Sequence, residues 1–493
     1  MVVTPILLRS LGRDQYGALV LLNLMPQIAG QLDLGLSTAG TRAFGHFKAR
    51  NDAVTARRIS TEVTSLLCLW GAIVASLFLA FRGLVANALG IDAVIGDPDS
   101  PVYAFAAATL LFALLNTAAA VPLRALEHYA TIARIQASAG MVFWLGCAAL
   151  AMRGSPLVLF VGLGAAVAAG ASLALFVAAD RIAATRRNVP EAAAAPEREA
   201  RNASIGAGLR LAPFLKVGGG AFVAQASSLL TYHADKLLVA ALVSPAAAGA
   251  YTVCASIASK VLMVIAAIAT FTFPRAIRLH ASGDHAVLSA TFATTTRFCV
   301  LLAACFAVPI ITLAEPFLRL WLGSTFAAEN AMALRVLTFG YTIASASVVA
   351  SNVAVGTGDA RMPATFAVIG GLFTLIGCAL LAPHFGIVGA AAAAALGMSQ
   401  ALVFNALVAR RLEPAAGEAS WGFLARVLAL GATVAVAASA VLSSPAFLIR
   451  SWQALLVAVA LTTAAFALLW AGSFGRRREV SFLRHVWTRH DGH

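Results

Sequence analysis

Apolar windows of about 18 to 25 residues recur along the whole chain, each closed by a few polar positions and each long enough to cross a hydrocarbon core of about 30 Å as a helix. Reading them between their polar punctuation gives a stub at 1–11 and spans near 17–41, 61–81, 101–122, 131–152, 156–179, 211–242, 247–273, 291–314, 332–356, 362–382, 385–409, 421–444 and 452–471. The pattern predicts an all-α polytopic membrane protein of about fourteen transmembrane helices, counting the stub, with no water-soluble domain between them. MVVTPILL supplies only about eight apolar residues before Arg9 and lacks the basic start and cleavage site of a signal peptide. The first helix is therefore expected to lack its beginning.

Composition sharpens this picture. Hydrophobic residues make up 60% of the 493 and charged ones 11%, with a mean hydropathy of +0.87, whereas soluble domains carry roughly 25% charge. The net charge of +14 does not point to nucleic acid, because Lys and Arg are scattered through short loops instead of gathered on one module. They follow membrane topology. One alternate set of loops holds five between 42 and 58, one at 124, six from 181 to 210, two at 275 and 278, one at 361, two at 410 and 411, and five after 475, or 22 in all. The other set holds six: Arg9, Arg13, Arg82, Arg153, Arg319 and Arg450. The first set is expected to be cytoplasmic, with both termini inside and the acidic stretch GIDAVIGDPDSP outside. The six cysteines lie in apolar segments without CxxC spacing, which supports neither a disulfide framework nor a zinc site.

The polar stretch RNVPEAAAAPEREARN (187–202) divides the chain into comparable halves. Gly17 matches Gly249 at an offset of 232, Arg42 of TRAFGHF matches Arg275 of PRAIRLH at 233, and Glu127-His128 match Gly358-Asp359 at 231. One nearly constant offset argues for duplication. Six spans per half means that both halves enter the membrane in the same sense, a parallel repeat with a pseudo-two-fold axis along the membrane normal. The expected organisation is an N-terminal lobe at 1–186, a cytoplasmic linker at 187–210, a C-terminal lobe at 211–411, two extra spans within 412–474 and a basic cytoplasmic tail at 475–493. Two such lobes are expected to enclose a cavity, as in transporters that work by alternating access.

The ordered set LLRSLGRDQYGALVLL, DLGLSTAGTRAFG, HADKLLVAALVSPAAAGAY, FTFPR, GTGDAR and FGIVGAAAAAALG resembles the polysaccharide (O-antigen type) flippases of the multidrug, oligosaccharidyl-lipid and polysaccharide exporter superfamily. The resemblance covers nearly the whole chain and departs from the family pattern in the shortened first span. It implies a fourteen-helix inner-membrane protein that moves undecaprenyl-diphosphate-linked sugars from the cytoplasmic to the periplasmic leaflet, driven by an ion gradient. Its expected partners are the lipid-linked glycan, membrane lipids and other polysaccharide-assembly proteins.

Charges inside spans carry the candidate chemistry, because a fixed charge near mid-bilayer costs about 2.5 to 3.5 kcal/mol and normally faces a wet cavity or a partner. Lys260, in the middle of YTVCASIASKVLMVIAAIATF, either faces the cavity and binds the diphosphate or snorkels and pairs structurally. Its repeat counterpart at offset 233 is Gln27, so the cavity is expected to be asymmetric. Asp33 is a candidate to pair with a cation or to carry the coupling proton or sodium ion; the plainer reading is a carboxylate at a helix end. Asp235 and Lys236, in TYHADKLLVAALV, belong to the outer gate or form an interfacial pair; neighbouring helical residues point about 100° apart and are expected not to share one partner. The repeat-matched Arg42 and Arg275 join this coupling or gate set. Lys216, Arg134 and Arg297 form a cationic mouth for an anionic headgroup or snorkel singly to phospholipid. The tail GRRREVSFLRHVWTRHDGH suits anionic lipid heads or is merely solvated.

No enzyme signature survives inspection: HADK is not a zinc motif, VGGGAF lacks the P-loop Lys, and no outer loop clusters catalytic groups. No cofactor is expected beyond a coupling H+ or Na+. A multidrug or cation antiporter of the same superfamily would carry more intramembrane carboxylates than cations, the reverse of what is seen. A membrane-embedded polymerase or acyltransferase would need a sizeable outer loop, which 82–100 and 315–331 do not provide.

Overall fold

The computed structural model describes residues 3–31, 33, 35–49, 53–97, 99–185, 229, 233–359, 361–412, 451–474 and isolated positions between 422 and 449. The linker at 187–210, Lys216, most of the spans at 211–242 and 421–444, and the basic tail lie outside the described residues. The described chain divides into two compact units, Met1–Gly249 and Ala250–His493.

The first unit holds α1 (Thr4–Gln31), α2 (Leu36–Ala49), α3 (Ala53–Ala80), α4 (Arg82–Ala88), α5 (Asp92–Ile95), α6 (Pro101–Ala125), α7 (Tyr129–Met152), α8 (Leu157–Thr185), α9 (Ala234–Leu242) and the start of α10 (Pro245–Ala269). Stub and second span form one run, α1, bent at Gly12 (φ 76°, ψ 175°), a conformation suited to glycine. The second span does not continue to 41: the chain breaks after Gln31 and resumes as α2 at Leu36. Helix α6 sits centrally, packed on α1, α2, α3, α7 and α8. Its apolar face closes Leu114, Ala118 and Val121 over Leu36, Val63 and Leu67, while Ala119, Ala120 and Leu123 meet Ile132 and Leu175.

The second unit holds the rest of α10, α11 (Thr272–Ala281), α12 (His285–Thr312), α13 (Ala314–Leu322), α14 (Ser324–Gly356), α15 (Arg361–Leu412) and α16 (Trp452–Phe474). Val261, Ile265, Phe292, Cys299, Val349, Val353 and Phe404 form its main core, and Phe466 of α16 joins Val300, Val308 and Ala346 in a second. Among the described residues nine helices are long and apolar enough to cross a membrane. Leu69, Leu77, Met141, Leu145, Leu380 and Leu468 are exposed on these helices, as a lipid-facing surface requires.

Helix α15 contains the two expected spans at 362–382 and 385–409. It turns back at Gly386 (φ 56°, ψ −135°), and its arms pack so tightly that an added Cβ would lie 2.8 Å from the Gly397 carbonyl at Gly370, 3.0 Å from Ala393 at Gly377 and 2.3 Å from the Leu381 carbonyl at Gly389. Small residues at these positions let the backbones touch, the way helices associate when lipid removes the hydrophobic drive.

Element boundaries carry the duplication more clearly than residue identities do. Helices α3 and α12 begin at 53 and 285 and end at 80 and 312, so 285 − 53 and 312 − 80 both equal 232; α4 and α13 (314 − 82) and α7 and α15 (361 − 129) give the same number. The left-handed positions repeat as well: Gly90 with Gly323, Glu127 with Gly358, and Gly154 with Gly386 all have positive φ. The ends of α6 and α14 close with the same long-range cap, His128 N to Leu123 O and Asp359 N to Ala354 O, each 2.8 Å. The stretches read from sequence as open outer loops, 82–100 and 315–331, fold largely into α4, α5, α13 and the first turns of α14. Arg82 at the start of α4 pairs with Asp99 just before α6.

Glu127 is the one described non-glycine residue with positive φ (61°), where its counterpart is a glycine; a side chain there costs about 1 kcal/mol or more. Glu127→Gly is expected to stabilise the first unit by about 1 kcal/mol, read as a higher Tm in detergent, with no gain for the matching change Gly358→Ala.

Asp359 ties the ends of α14 and α15 together: its Oδ1 accepts from Met362 N at 3.1 Å and its Oδ2 from Arg411 Nη1 at 2.6 Å. The Arg411 hydrogen bond, then the Met362 amide, hold the carboxyl below its ordinary 3.8. A depressed folded value means that the stabilisation is present above the ordinary value and is lost as pH falls through the folded one. Both side chains are well exposed, so the effect is small, under about 1 kcal/mol. Asp359→Asn is expected to lower Tm slightly at pH 7 and to become indistinguishable from the parent once the folded carboxyl is protonated, a difference that parallel melts at pH 7 and well below the carboxyl's ordinary 3.8 would register.

Candidate functional site

Lys260 lies on α10 nine residues before Ala269, about 14 Å from that end of the helix. One face of α10 is core, with Cys254, Ala258, Val261 and Ile265 buried. Lys260 is on the other face and exposed, between the half-exposed Ser256 and Ser259 and the exposed Met263, Val264 and Ala267. The serine hydroxyls bond their own helix, Ser256 Oγ to Val253 O at 2.8 Å and Ser259 Oγ to Ser256 O at 3.2 Å. No acidic partner meets the Lys260 ammonium among the described residues.

The counterpart helix of the first unit, the long arm of α1, also turns a polar face outward. Leu21, Leu22, Leu24 and Ala29 are buried, while Asn23, Gln27 and Gln31 follow one another at i, i+4 and i+8, one above the next. Asn23 Nδ2 donates to Leu19 O at 2.9 Å, and Gln27 Nε2, exposed, donates to Asn23 O at 3.3 Å. Gln31 Nε2 lies 3.0 Å from His233 Nε2, just before α9. The repeat offset singled out Gln27 alone; the four-residue spacing in NLMPQIAGQ is the signal that marks the other two.

Asp33 is fully buried at the break between α1 and α2. Its Oδ1 accepts from Gly35 N at 2.9 Å and its Oδ2 from Ser37 N at 3.2 Å, and its carbonyl accepts from Leu36 N at 3.0 Å. The carboxylate thus caps the first turn of α2, where backbone N–H groups lack helical partners and favour negative charge. The equivalent joint of the second unit, between α10 and α11, is held differently: Asn352 Nδ2 reaches from α14 to Ala269 O and Thr272 Oγ1, both at 2.9 Å.

Asp235 and Lys236 bind each other, the pairing that the sequence left open beside a gate role. Asp235, in the first turn of α9, accepts at Oδ1 from the Lys236 main-chain N at 2.9 Å and from its Nζ at 3.2 Å. The lysine chain curls back over one residue, and the side chains keep only 5% and 12% of their accessible surface. Burial of two charges is tolerable when they are paired in this way.

The other candidates are dispersed. Arg134 is exposed near the start of α7 in the first unit, and Arg297 is half-buried on α12 in the second. Arg297 is twelve residues, about 18 Å, inside a helix that begins at His285, six residues earlier than the sequence pattern predicts. Arg275 is exposed on α11 beside the buried Ala276. Arg42 belongs to α2, with its side chain outside the described part of the structure, and Lys216 lies outside the described residues altogether. Among the described residues the structure brings Asp235 and Lys236 together, with the Gln31–His233 contact beside them that the sequence reading lacked.

A sequence family described as "Polysaccharide biosynthesis protein" matches residues 206–330. No curated protein matches the chain. Among solved structures the fold is similar to that of the lipid II flippase MurJ in an inward closed conformation, with a TM-score of 0.64 over 96% of this chain and 98% of that one at 12% identity. It is also similar to a multidrug resistance MATE family transporter of the MOP superfamily in its inward-facing conformation, with a TM-score of 0.63 over 84% of this chain and 94% of that one at 14% identity. The chain therefore has the fold shared by these membrane transporters.

Proposed function

We propose that this protein moves a polyprenyl-diphosphate-linked oligosaccharide from the cytoplasmic to the outer leaflet of the inner membrane, exposing its polar helix faces to each side in turn. The observation that carries this reading is Lys260: an exposed ammonium, unpaired among the described residues, well inside a transmembrane helix. Left against lipid it would cost about 2.5 to 3.5 kcal/mol, and a diphosphate passing along that face removes the cost. In the first unit Asn23, Gln27 and Gln31 supply amides that can donate to and accept from sugar hydroxyls and acetamido groups. The polyprenyl tail needs no polar partner and stays in lipid. No bond is made or broken, so the protein acts as a transporter and not as an enzyme. Both termini are cytoplasmic in this reading, and glycan-assembly proteins supply the substrate.

Energetics favour ion coupling. The membrane potential, negative inside, assists the outward passage of an anion by about 2.3 kcal/mol per charge per 100 mV, and the same field assists the inward return of the empty cationic site and of a proton or sodium ion entering with it. Export of cationic drugs fits less well: Asp33 is engaged as a helix cap and Asp235 is paired with Lys236.

Reconstitution in vesicles containing a fluorescent polyprenyl-diphosphate disaccharide tests the proposal. Protein-dependent loss of the probe's protection from an impermeant quencher is expected. Vesicles that leave the probe in place yet extrude a lipophilic cation would overturn the substrate assignment.

A further inference from the structure

We infer that α11 is a binding site for anionic phospholipid, with Arg275 and Arg278 taking the headgroup phosphate and the opposite flank of the helix taking the acyl chains. The inference is independent of the function proposed above, because the ligand is a bulk lipid of the bilayer and not the cargo.

Helix α10 has 25 residues, about 37 Å of helix against a hydrocarbon core of about 30 Å, so α11 begins where the core ends and the headgroups start. Its rotation there is fixed by packing. Thr272 and Ala276 are buried, and Leu279 packs on the main core of the second unit. A Cβ added at Gly356, the last residue of α14, would lie 2.9 Å from Ala276 Cβ and 3.2 Å from the Phe273 carbonyl oxygen. Counted from the middle of this inward face, Phe273 and Ile277 lie about 90° and 130° to one side, and Arg275 and Arg278 about 70° and 130° to the other. All four are exposed, and Phe271, at the joint before the helix, is exposed with them. The helix thus has three faces: one against the protein, one apolar and one cationic. The last two are the division that a helix lying at a lipid surface needs.

The local carboxylates leave both arginines to an outside anion. Asp284, the nearest in sequence, accepts from Ser282 Oγ at 3.2 Å, and Asp359, just past the end of α14, pairs with Arg411. No acidic partner meets Arg275 or Arg278 among the described residues. Arg361 and Arg410, exposed at the ends of α15 beside the Asp359–Arg411 pair, add positive charge there. A guanidinium offers phosphate two parallel N–H donors, and residues three apart on a helix are neighbours able to close on one headgroup. Zwitterionic lipid brings its own ammonium to the same phosphate, so the cationic flank selects for net negative charge. Arg275, a gate candidate from the sequence, is a lipid ligand in this arrangement.

The full chain, held in nanodiscs of phosphatidylcholine with a minor share of phosphatidylglycerol, tests this. A trace of either lipid with a photoreactive diazirine at the top of one acyl chain is irradiated, and adducts on residues 271–281 are mapped by mass spectrometry against those on the exposed Leu468 of α16. The phosphatidylglycerol probe is expected to label Phe271, Phe273 and Ile277 several-fold more than the phosphatidylcholine probe, since one cation near an anionic leaflet is worth about five-fold. The excess should vanish in about 1 M salt, where screening acts within about 3 Å. Arg275→Gln/Arg278→Gln should bring the two probes level, and Arg275→Lys/Arg278→Lys should restore most of the excess; the side chains are exposed, so neither variant opens a cavity. Equal labelling by the two probes in the parent, an excess that survives in the glutamine variant, or no recovery with lysine would each overturn the inference. So would loss of the excess on adding a trace of polyprenyl diphosphate, which would make the substrate lipid the occupant.

Discussion

Lys260→Ala is expected to reduce movement of a diphosphate-linked probe by about 10- to 100-fold while leaving the amount and melting of the protein unchanged. A hydrogen bond to a charged group contributes about 1.5 to 3 kcal/mol, and 1.4 kcal/mol is a factor of ten. Stability is spared because the side chain is exposed and its ammonium pairs with no described residue, so truncation opens no cavity. Lys260→Arg keeps the charge and should retain much of the activity; Lys260→Gln keeps the length and should not. Equal transport by all four proteins would remove Lys260 from the path of the headgroup.

Gly17→Val is expected to destabilise the first unit by forcing two helices apart. A Cβ at Gly17 would lie 2.0 Å from the Pro245 carbonyl oxygen, 2.4 Å from its carbon and 2.8 Å from Ala246 N. All three are main-chain atoms that cannot rotate away. Gly249, the repeat counterpart at 249 − 17 = 232, meets the same spot from the other side, its added Cβ falling 2.9 Å from Gly17 Cα and 3.2 Å from Tyr16. The valine must push α1 off the start of α10, and overpacking of this kind costs about 1 to 3 kcal/mol, or roughly 2 to 4 °C per kcal/mol for a unit of this size. Gly140→Val on α7, where a Cβ meets nothing within 4 Å, is the control. Equal melting of the two variants would mean that Gly17 and Gly249 do not pack as described.

Hydropathy alone reveals the spans because lipid demands long apolar helices whatever the packing. It is blind to breaks inside a window: 17–41 reads as one span, yet the chain stops at Gln31 and restarts at Leu36. Without that break Asp33 reads as a coupling carboxylate or one at a helix end, and the helix that it caps, α2, is not visible. AEPFLRLWL reads as loop because its polar residues interrupt the window, although Glu315 and Arg319 lie on one side of α13, about 100° round from the buried Ala314 and Leu318. Duplication was legible from three weak residue matches; the identical spacing of helix ends and left-handed turns is what makes it firm. The Asn23–Gln27–Gln31 stripe was missed for a plainer reason. Averaged over a window, three amides vanish among leucines, whereas the four-residue spacing places them on one face.

The glycine seam of α15 bears on how the protein is made. Its arms meet between positions only 8 to 27 residues apart, Gly389 against Leu381 and Gly370 against Gly397, and contacts this local form early. The two arms can therefore leave the ribosome and enter the bilayer as one pre-paired hairpin, ahead of any long-range assembly.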